Sequence, residues 1–579
     1  MSGIFEIIAR RFGVDFGDAS NEKKPKNAKK QRMPIALPWR ILMSLFSTAI
    51  IGFLYFYIFL PPINLHSVSF YIFVIILCVI FSLFMKGLSD YEGAGISSGK
   101  LISPYFKNQP VPAVIITMAL VVLVIGAISG IEIFRANDYA KLLEVKDGNF
   151  ATDVDEIDWE QIPMLDSTSA NNLANRKLGE LSDLVSQFVV SDQSVQINYK
   201  GNPVRVTYLD YSNFFKWYNN RDKGIPAYMT IDMRTQQVEV VRLEKGIKYS
   251  PSEYFGRNLR RYLRFQYPTF IFDDVNFEID ENGTPYWIAS VVEKRIGLFG
   301  GNDIQGAVLL NAVTGKSEYL PVKDIYSWVD RVYPADLLIS QYDYKGLYTN
   351  GFFNSMFEQA GCTATTDGYN YIALHDDVWM YTGVTSVTSD EGNIGFILVN
   401  QRTKEAKYYT CAGAEEYSAM SSAEGAVQQY GYNSTFPLLL NVSDQPTYFM
   451  SLKDGAGLVK MYAMVNVKQY QIVATGHTLE ECQSNYHNLL VSNKLIDGDN
   501  KDDEKLDKKK DTGLIEEIRS ANIDGNTMFY FRLEGNDKYY TVSAKDYPIA
   551  AILSVGDKIT VEYVLADDVL LPVLTLVVD

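Results

Sequence analysis

Between Arg40 and Lys86 the chain runs 45 residues without a single Asp, Glu, Lys or Arg, and a second uncharged run, Asn108 to Ile131, follows shortly after. A helix of about 20 apolar residues crosses a hydrocarbon core of roughly 30 Å, whereas a core helix of that length in a soluble protein carries a polar stripe. These stretches carry none. The pattern predicts three transmembrane helices within residues 41–134, at 41–60, 68–85 and 111–134. Pro61-Pro62-Ile63-Asn64-Leu65-His66 supplies the first turn, since two prolines cannot continue a helix and Asn and His favour the interface. Charge returns at Glu132 and Arg135, where the third span ends.

Orientation follows from Lys and Arg in the short flanks. The basic segment 1–40 carries nine, the turn none, and the loop from Lys86 to Pro110 carries Lys86, Lys100 and Lys107. The expected location is the cell membrane, with the N-terminus cytoplasmic and the residues after 135 extracellular. A cleavable signal is not expected, because the first apolar run begins only at Ile41 and no small-residue cleavage site follows it. The Arg10-Arg11 pair lies too far upstream of that run for twin-arginine export. Ile4, Phe5, Ile7, Ile8 and Phe12 form an apolar face opposite these arginines, so residues 2–13 read as an amphipathic helix on the inner leaflet or against a partner helix.

Charge divides the chain at the same place. Residues 1–134 hold 12 Lys and Arg against 7 acids, leaving 41 against 62 for the remainder. So acidic an exterior repels nucleic acid, and none is expected as a partner. Cys78 sits in a span, and Cys362, Cys411 and Cys482 are too few for a disulfide framework. A Cys362–Cys411 bond and buried free thiols both remain open.

The exterior is punctuated by a recurring plan. Ile231-Asp232-Met233-Arg234-Thr235 into Val238-Glu239-Val240, Leu310-Asn311-Ala312-Val313-Thr314-Gly315 into Ser317-Glu318-Tyr319, and Val399-Asn400-Gln401-Arg402-Thr403-Lys404 into Ala406-Lys407-Tyr408 each run an apolar strand into Asp or Asn, a Thr-containing turn and a second strand. Val465-Asn466-Val467-Lys468 is a degenerate fourth copy. Helical periodicity falls between the copies, at Ser252–Phe265, Ala414–Tyr430 and Leu479–Leu490, and earlier at Leu173–Phe188. Asp280-Glu281-Asn282-Gly283, Ser389-Asp390-Glu391-Gly392-Asn393 and Asp454-Gly455 read as hairpin tips. The unit is a helix followed by an antiparallel meander.

The helix ending Arg264-Phe265-Gln266-Tyr267-Pro268, the strand around Tyr286-Trp287-Ile288 and the closing Leu309-Leu310-Asn311-Ala312-Val313-Thr314-Gly315-Lys316 resemble the PepSY-type module of bacterial envelope proteins. Residues 395–409 are similar, but Lys404 stands where that pattern has Gly. The resemblance implies an extracytoplasmic regulatory or interaction module without catalysis of its own. The whole chain is also similar to three-span envelope proteins of Gram-positive bacteria. The expected divisions are 135–250, a first α+β region; 251–340, a PepSY-like module; 341–496, further such modules; and 497–511, a Lys/Asp-rich solvated linker.

Residues 512–579 read as five strands with a short helical segment, Ala544–Leu553, after the third, which resembles an OB-type barrel. Its 5 basic residues against 11 acids argue against a nucleic-acid groove and for a structural or protein-docking role. The expected fold class is therefore membrane-anchored α+β: three N-terminal helices, tandem helix-plus-sheet modules outside, and a small five-stranded barrel.

No catalytic, cofactor-binding or metal-binding constellation emerges. Thr314-Gly315-Lys316-Ser317 mimics a phosphate loop, but Leu310 occupies the leading Gly position and a strand follows. His66 is at the membrane surface, and His375, His477 and His487 have no ligand spacing. Asp273-Asp274, Asp376-Asp377 and Asp567-Asp568 near turns invite calcium, as does Asp497-Gly498-Asp499, where Lys501 breaks the loop. Solvated turn acids are the plainer reading. Arg257, Arg260, Arg261 and Arg264 repeat at helical spacing and either face solvent or meet lipid headgroups or anionic wall polymer. With 39 Tyr, 31 Phe and 6 Trp, the chain has the aromatic load of docking surfaces, though strands also favour these residues. The leading expectation is a non-enzymatic docking, sensing or assembly protein of the cell envelope, with no cofactor and with membrane lipids and a protein partner or second copy as partners. A subunit of a transport or translocation complex and an envelope hydrolase with a carboxylate pair are the alternatives.

Overall fold

The computed structural model describes residues 36–90, 109–156, 159, 162–374, 377–387, 389–496, 508–523, 526–544, 547–564 and 570–578. Outside them lie the segment 2–13, most of the basic flank, the linker as far as 507, His375, Asp376 and Asp567-Asp568. The chain forms two compact units, Met1–Met461 with Val465–Gln471, and Tyr462–Met464 with Ile472–Asp579.

Among the described residues, three helices are long and apolar enough to cross a membrane: α1 (Leu37–Phe59), α2 (Val68–Asp90) and α3 (Pro110–Ser129). Their contact positions are small, as helices in hydrocarbon require. Gly52 of α1 faces Leu77, and Ser44 and Thr48 are buried on the same helix. The third apolar run does not continue to 134. It stops at Ser129, turns at Gly130 and Ile131, and restarts as α4 (Glu132–Tyr139), because the Gly130 carbonyl is taken by the Tyr139 hydroxyl at 2.8 Å.

The first unit then stacks sheets. Strand β1 (Val145–Asp147) and helix α5 (Ser167–Gly179) precede a four-stranded meander of β2 (Phe188–Tyr199), β3 (Asn202–Tyr211), β4 (Ile225–Asp232) and β5 (Val238–Ile247). Helix α5 begins earlier than its apolar periodicity suggested, because the Asp166 carboxylate caps it by accepting the Ser169 N–H. A short α6 (Phe214–Asn220) interrupts this meander, and α7 (Leu259–Gln266) follows it. Helix α7 spans only half of the expected Ser252–Phe265, since the Asn258 side chain caps it at Arg261 N. The second meander is β6 (Ile271–Ile279), β7 (Pro285–Ile296), β8 (Gly300–Asn311) and β9 (Ser317–Pro321).

After α8 (Ala335–Tyr348) and α9 (Phe352–Met356) comes a six-stranded sheet of β10 (Thr363–Thr365), β11 (Asn370–Leu374), β12 (Asp377–Ser386), β13 (Ser389–Asn400) and β14 (Ala406–Gly413), with β1 parallel to β14. Ser389–Asn393, read as a hairpin tip, runs inside β13. Helix α10 (Glu416–Ala426) leads to a last hairpin, in which β15 (Asn433–Ser434) and β16 (Leu438–Val442) both pair with β17 (Gln445–Lys453). Strand β18 (Val459–Asn466) follows.

The recurring plan is one turn built several times. The Asp232 carboxylate accepts the N–H groups of Arg234 and Thr235, the Asn311 carbonyl those of Val313 and Thr314, and the Asn400 carbonyl those of Arg402 and Thr403. Asn466 accepts from Gln469 in the same way. The fifth residue of the first three turns is left-handed: Gln236 at φ 60°, Gly315 at 77° and Lys404 at 67°. Only one is the expected glycine. Lys404 is kept because its Nζ reaches the buried Asp303 carboxylate at 2.6 Å and the Leu142 carbonyl at 2.8 Å, tying the third sheet to the second.

The second sheet is buried on both faces. Trp287, Ala289, Val291, Val308 and Leu310 pack toward Val206, Tyr228 and Ile231 of the first sheet. Ile288, Val292, Ile304, Ala307 and Leu309 pack against α8 and the third sheet's Met380, Val384, Ile397 and Val399. Its strands are therefore continuous apolar runs, and fully burying each such side chain contributes roughly 1.5–3 kcal/mol.

This central sheet sits on the ends of all three apolar helices. Arg264, almost fully buried, donates Nε to the Leu60 carbonyl at 3.0 Å and Nη1 to the Phe270 carbonyl at 2.5 Å. Arg261 stacks on Tyr57 and donates to its carbonyl at 3.2 Å. Asn64 donates to the Thr269 carbonyl, and the Ile63 N–H to that of Pro268. The β7–β8 tip closes the contact: Leu298 O meets His66 Nδ1 at 2.9 Å, Leu298 N donates to Ser129 Oγ, and Phe299 lies edge-on to Tyr71. A Cβ at Gly126 of α3 would collide with Leu298 and Phe299, so the glycine makes room for this tip.

The second unit holds β19 (Val473–Gly476), α11 (Leu479–Ser492) and a closed barrel of β20 (Lys508–Ile523), β21 (Asn526–Leu533), β22 (Tyr539–Ser543), β23 (Lys558–Val564) and β24 (Leu570–Val578), in the order β20-β21-β22-β24-β23. Lys508–Asp511, expected in the linker, belongs to β20 because it pairs with Val561–Val564 of β23. Asp511 also receives the hydroxyls of Tyr540 and Tyr563.

Two consequences are measurable. Gln236→Gly relieves a left-handed backbone and is expected to raise stability by up to about 1 kcal/mol; Lys404→Gly gains the same relief but strips a buried carboxylate of its ammonium, a net loss of roughly 2–4 kcal/mol. Denaturant unfolding in detergent checks the opposite signs. Arg264→Met orphans buried carbonyls at about 1–3 kcal/mol each, so it should lower the detergent Tm more than Arg261→Met, whose guanidinium is half-exposed.

Candidate functional site: a polar cleft on the central sheet

Strand β6 is irregular where it matters. Between Phe272 and Val275 its register against β7 slips, so Asp273 and Asp274 occupy a bulge instead of regular ladder positions. They were expected near a turn; the bulge turns them into solvent from within the strand. Opposite them, Asp336 lies in the first turn of α8, where a carboxylate is favoured by the helix dipole. These residues, with Lys294, Asn302, Ser340, Gln341 and Tyr344, line a cleft of about 510 Å³. Lys294 Nζ donates to Asn302 Oδ1, and Gln341 Nε2 to the Asn302 carbonyl at 2.7 Å. An adjoining cavity of about 150 Å³ shares Asp274 and Asp336 and adds Arg331, Tyr369 and Tyr371.

Beneath the smaller cavity lies a buried acid pair. Glu278 Oε2 and Oε1 accept the backbone N–H groups of Asp330 and Arg331 at 2.9 and 3.0 Å. Asp330 Oδ2 accepts the Asn198 N–H at 2.7 Å. Arg331 donates Nε to the Gln196 carbonyl and lays its guanidinium 3.8 Å over the Tyr371 ring. One residue cluster thus joins the first sheet, the second and the third. Burial pushes the Glu278 carboxyl up to about 7. Burial and then the charge of Glu278 push Asp330 well above the usual range. The nearby Arg205, also buried, is lowered to about 10 by burial and by Arg331. With one N–H donor against two, Asp330 is the natural holder of the pair's proton.

The cleft itself presents Asp273, Asp274 and Asp336 against Lys294, and the adjoining cavity adds Arg331. Desolvation by the cleft walls, then repulsion from Asp274, raises the Asp273 carboxyl; desolvation lowers Lys294, with Asp273 opposing it. Such a surface suits a cationic or polyhydroxylated group held by carboxylates between aromatic rings. Among the described residues, no group of three or more His, Cys, Asp or Glu side chains is placed to hold a metal ion.

Of the acids noted in the sequence that fall among the described residues, Asp273-Asp274 reaches the cleft. Asp377 instead forks onto Arg402 at 2.7 and 2.8 Å and accepts from Asn400, buttressing a turn. Cys362 and Cys411 are both free thiols. Thr314-Gly315-Lys316-Ser317 is a hairpin turn between β8 and β9. Of the four arginines at helical spacing, Arg261 and Arg264 reach carbonyls at the end of α1, Arg257 reaches the Arg221 carbonyl, and Arg260 is exposed. Sequence reasoning missed Asp336, Arg331, Tyr369, Tyr371 and the Glu278–Asp330 pair. For Glu278 a signal existed: a lone acid between Phe277 and Ile279 in an otherwise apolar strand end.

No family model matches the chain, and no curated protein matches it. Among solved structures, the chain has a likeness to one described as an exo-beta-1,3-galactanase from Bifidobacterium bifidum s17, at 9% identity and a TM-score of 0.17, covering 52% of this chain and 75% of that one. At that score the likeness carries no argument about fold or chemistry.

The acid pair makes stability depend on pH. A carboxyl raised in the fold keeps a proton that the unfolded chain has released, so its contribution is full below the ordinary carboxylate range and is lost as pH rises through about 7. Asp330→Asn keeps an acceptor for the Asn198 N–H and removes the carboxyl that holds the proton. It is expected to flatten the fall in Tm between about pH 5 and 8, followed by calorimetry in detergent.

Proposed function

We propose that this chain is a non-enzymatic docking or assembly protein of a cell membrane, spanning it with α1, α2 and α3, with its N-terminus in the cytoplasm and its tandem sheets outside. The observation that carries the reading is the seating of the central sheet on all three helix ends through Arg264, Asn64, His66 and the Leu298-Phe299 tip. A bare anchor needs one flexible span. A sheet clamped to three holds its surface at fixed height and orientation, as a subunit interface requires. In this reading the repeated Asx-turn modules are PepSY-like interaction modules, the terminal barrel is OB-like, and the cleft of Asp274, Asp336 and Tyr369 receives a basic or polyhydroxylated segment of the partner.

A photo-crosslinking residue at Tyr369 is expected to capture a discrete partner or second copy in intact cells, while the same residue at the exposed Glu239 of β5 is not. A monomer from mild detergent with no adduct at Tyr369 rejects the docking role. A C-terminal reporter that fluoresces only in the cytosol should stay dark; a bright one rejects the orientation. One observation favours a second reading, an envelope hydrolase: the three carboxylates of the cleft. Release of sugar from purified wall polymer, abolished by Asp336→Asn, would decide for it.

A further inference from the structure

Two exposed aromatic patches border the helix ends. The first lies on α6 and the loop before α7. Phe215 is 75% exposed and Phe255 60%, although they stand among stacked rings: Phe214 edge-on to Tyr254 at 5.2 Å, Trp217 at 5.7 Å from Phe255. This patch is continuous with α1. The Phe255 carbonyl accepts Arg261 Nη1 at 2.8 Å, and that same guanidinium stacks 4.1 Å over Tyr57. Phe265, one turn along from Arg261, packs on Phe56 at 5.4 Å and on Phe53, itself 56% exposed on the apolar helix. Cations border the rings: Arg221 lies 3.9 Å over Tyr218, and Arg257 donates to the Arg221 carbonyl.

The second patch is α9. Phe353 is 68% exposed and Phe357 76%, stacked on each other at 6.5 Å. It too is tied to a helix end. Phe352 stacks on Tyr348, whose hydroxyl donates to Glu132 at 2.6 Å, and Glu132 opens α4 directly after α3. On α4, Phe134 is 72% exposed.

We propose that both patches are seated in the lipid leaflet from which the three helices emerge on the side of the sheets, with Phe215 and Phe255, and Phe353 and Phe357, at the boundary between headgroups and acyl chains. The inference rests on the reading of α1 to α3 as membrane spans. Continuity selects lipid over a protein partner: each patch is one or two contacts from a residue at the mouth of an apolar helix, where the surroundings are already lipid. Aromatic rings are what that boundary favours, since they bury apolar area there, and at the first patch Arg221 and Arg257 add guanidinium groups that can meet phosphate. The sheets would then be held by three helix ends and braced on two sides.

The test places nitroxide labels at Phe215→Cys, Phe357→Cys and, within α1, Ile50→Cys, in a Cys78→Ala background, with the protein in phosphatidylcholine–phosphatidylglycerol nanodiscs. The remaining native thiols are buried and do not compete. At positions 215 and 357, collisions with lipid-dissolved oxygen are expected to exceed those with a water-soluble nickel chelate, and at 50 to exceed them further. Water-like accessibility at 215 and 357 with a deep label at 50 overturns this inference alone. A water-like label at 50 overturns the spanning reading itself. Labels at 215 or 357 shielded from both reagents, with spin–spin broadening between copies, also overturn the lipid assignment and make the patch a contact between chains.

Discussion

A single buried guanidinium fixes the relation between the apolar helices and everything that follows them. Arg264 is 7% exposed and has no carboxylate partner among the described residues; its donors are spread over the carbonyls of Leu60, Tyr267, Pro268 and Phe270. A buried charge is tolerable only when its donors are satisfied. Here the carbonyl at the C-terminal end of α1 does part of that work, and Leu60 adopts a left-handed cap that presents it. The negative end of the α1 dipole and the positive end of α7 side-chain chemistry thus neutralise each other. Burial lowers the guanidinium to about 10, still protonated at any physiological pH, so the clamp is permanent and not a switch.

From that clamp the rest of the first unit follows as a stack. Because β6 to β9 are anchored below, both faces are free to bury neighbours, and both do. The joints are polar and specific: Glu278 with Asp330 and Arg331 toward the first sheet, Asp303 with Lys404 toward the third. Burying ions is costly, and apolar packing of equal volume would hold the sheets as well. What ions add is registry, since a carboxylate that must meet two N–H groups admits no sliding of one sheet over the next. Rigidity through the stack is what lets the position of the helices set the position of the cleft.

Much of this was legible in the sequence, and the boundary of legibility is physical. Absence of charge over Ile41–Met85 and Asn108–Ile131 needs no partner to interpret, so the three helices could be read directly. The Asp or Asn turns were visible because their hydrogen bonds are local, spanning two or three residues. Helix starts were misjudged where one polar side chain decided them, Asp166 and Asn258. The cleft was hardly legible at all. Asp274, Asp336 and Tyr369 meet only through the stacking of the second sheet on the third, and nothing near any of them in the chain records that meeting.

The deviation at Lys404 shows how such long-range demands do leave a mark. A left-handed position costs a side chain roughly 1–2 kcal/mol, which glycine avoids and Gly315 does avoid. A lysine retained there must return more than it costs, and it does so by neutralising Asp303, a carboxylate 1% exposed, across a sheet interface. A residue that breaks its own repeat at a strained backbone position therefore points away from its neighbours, to a partner in another module. By the same logic Arg264, the buried member of a basic helix face on which Arg260 is exposed, has its partner at the end of the first apolar helix.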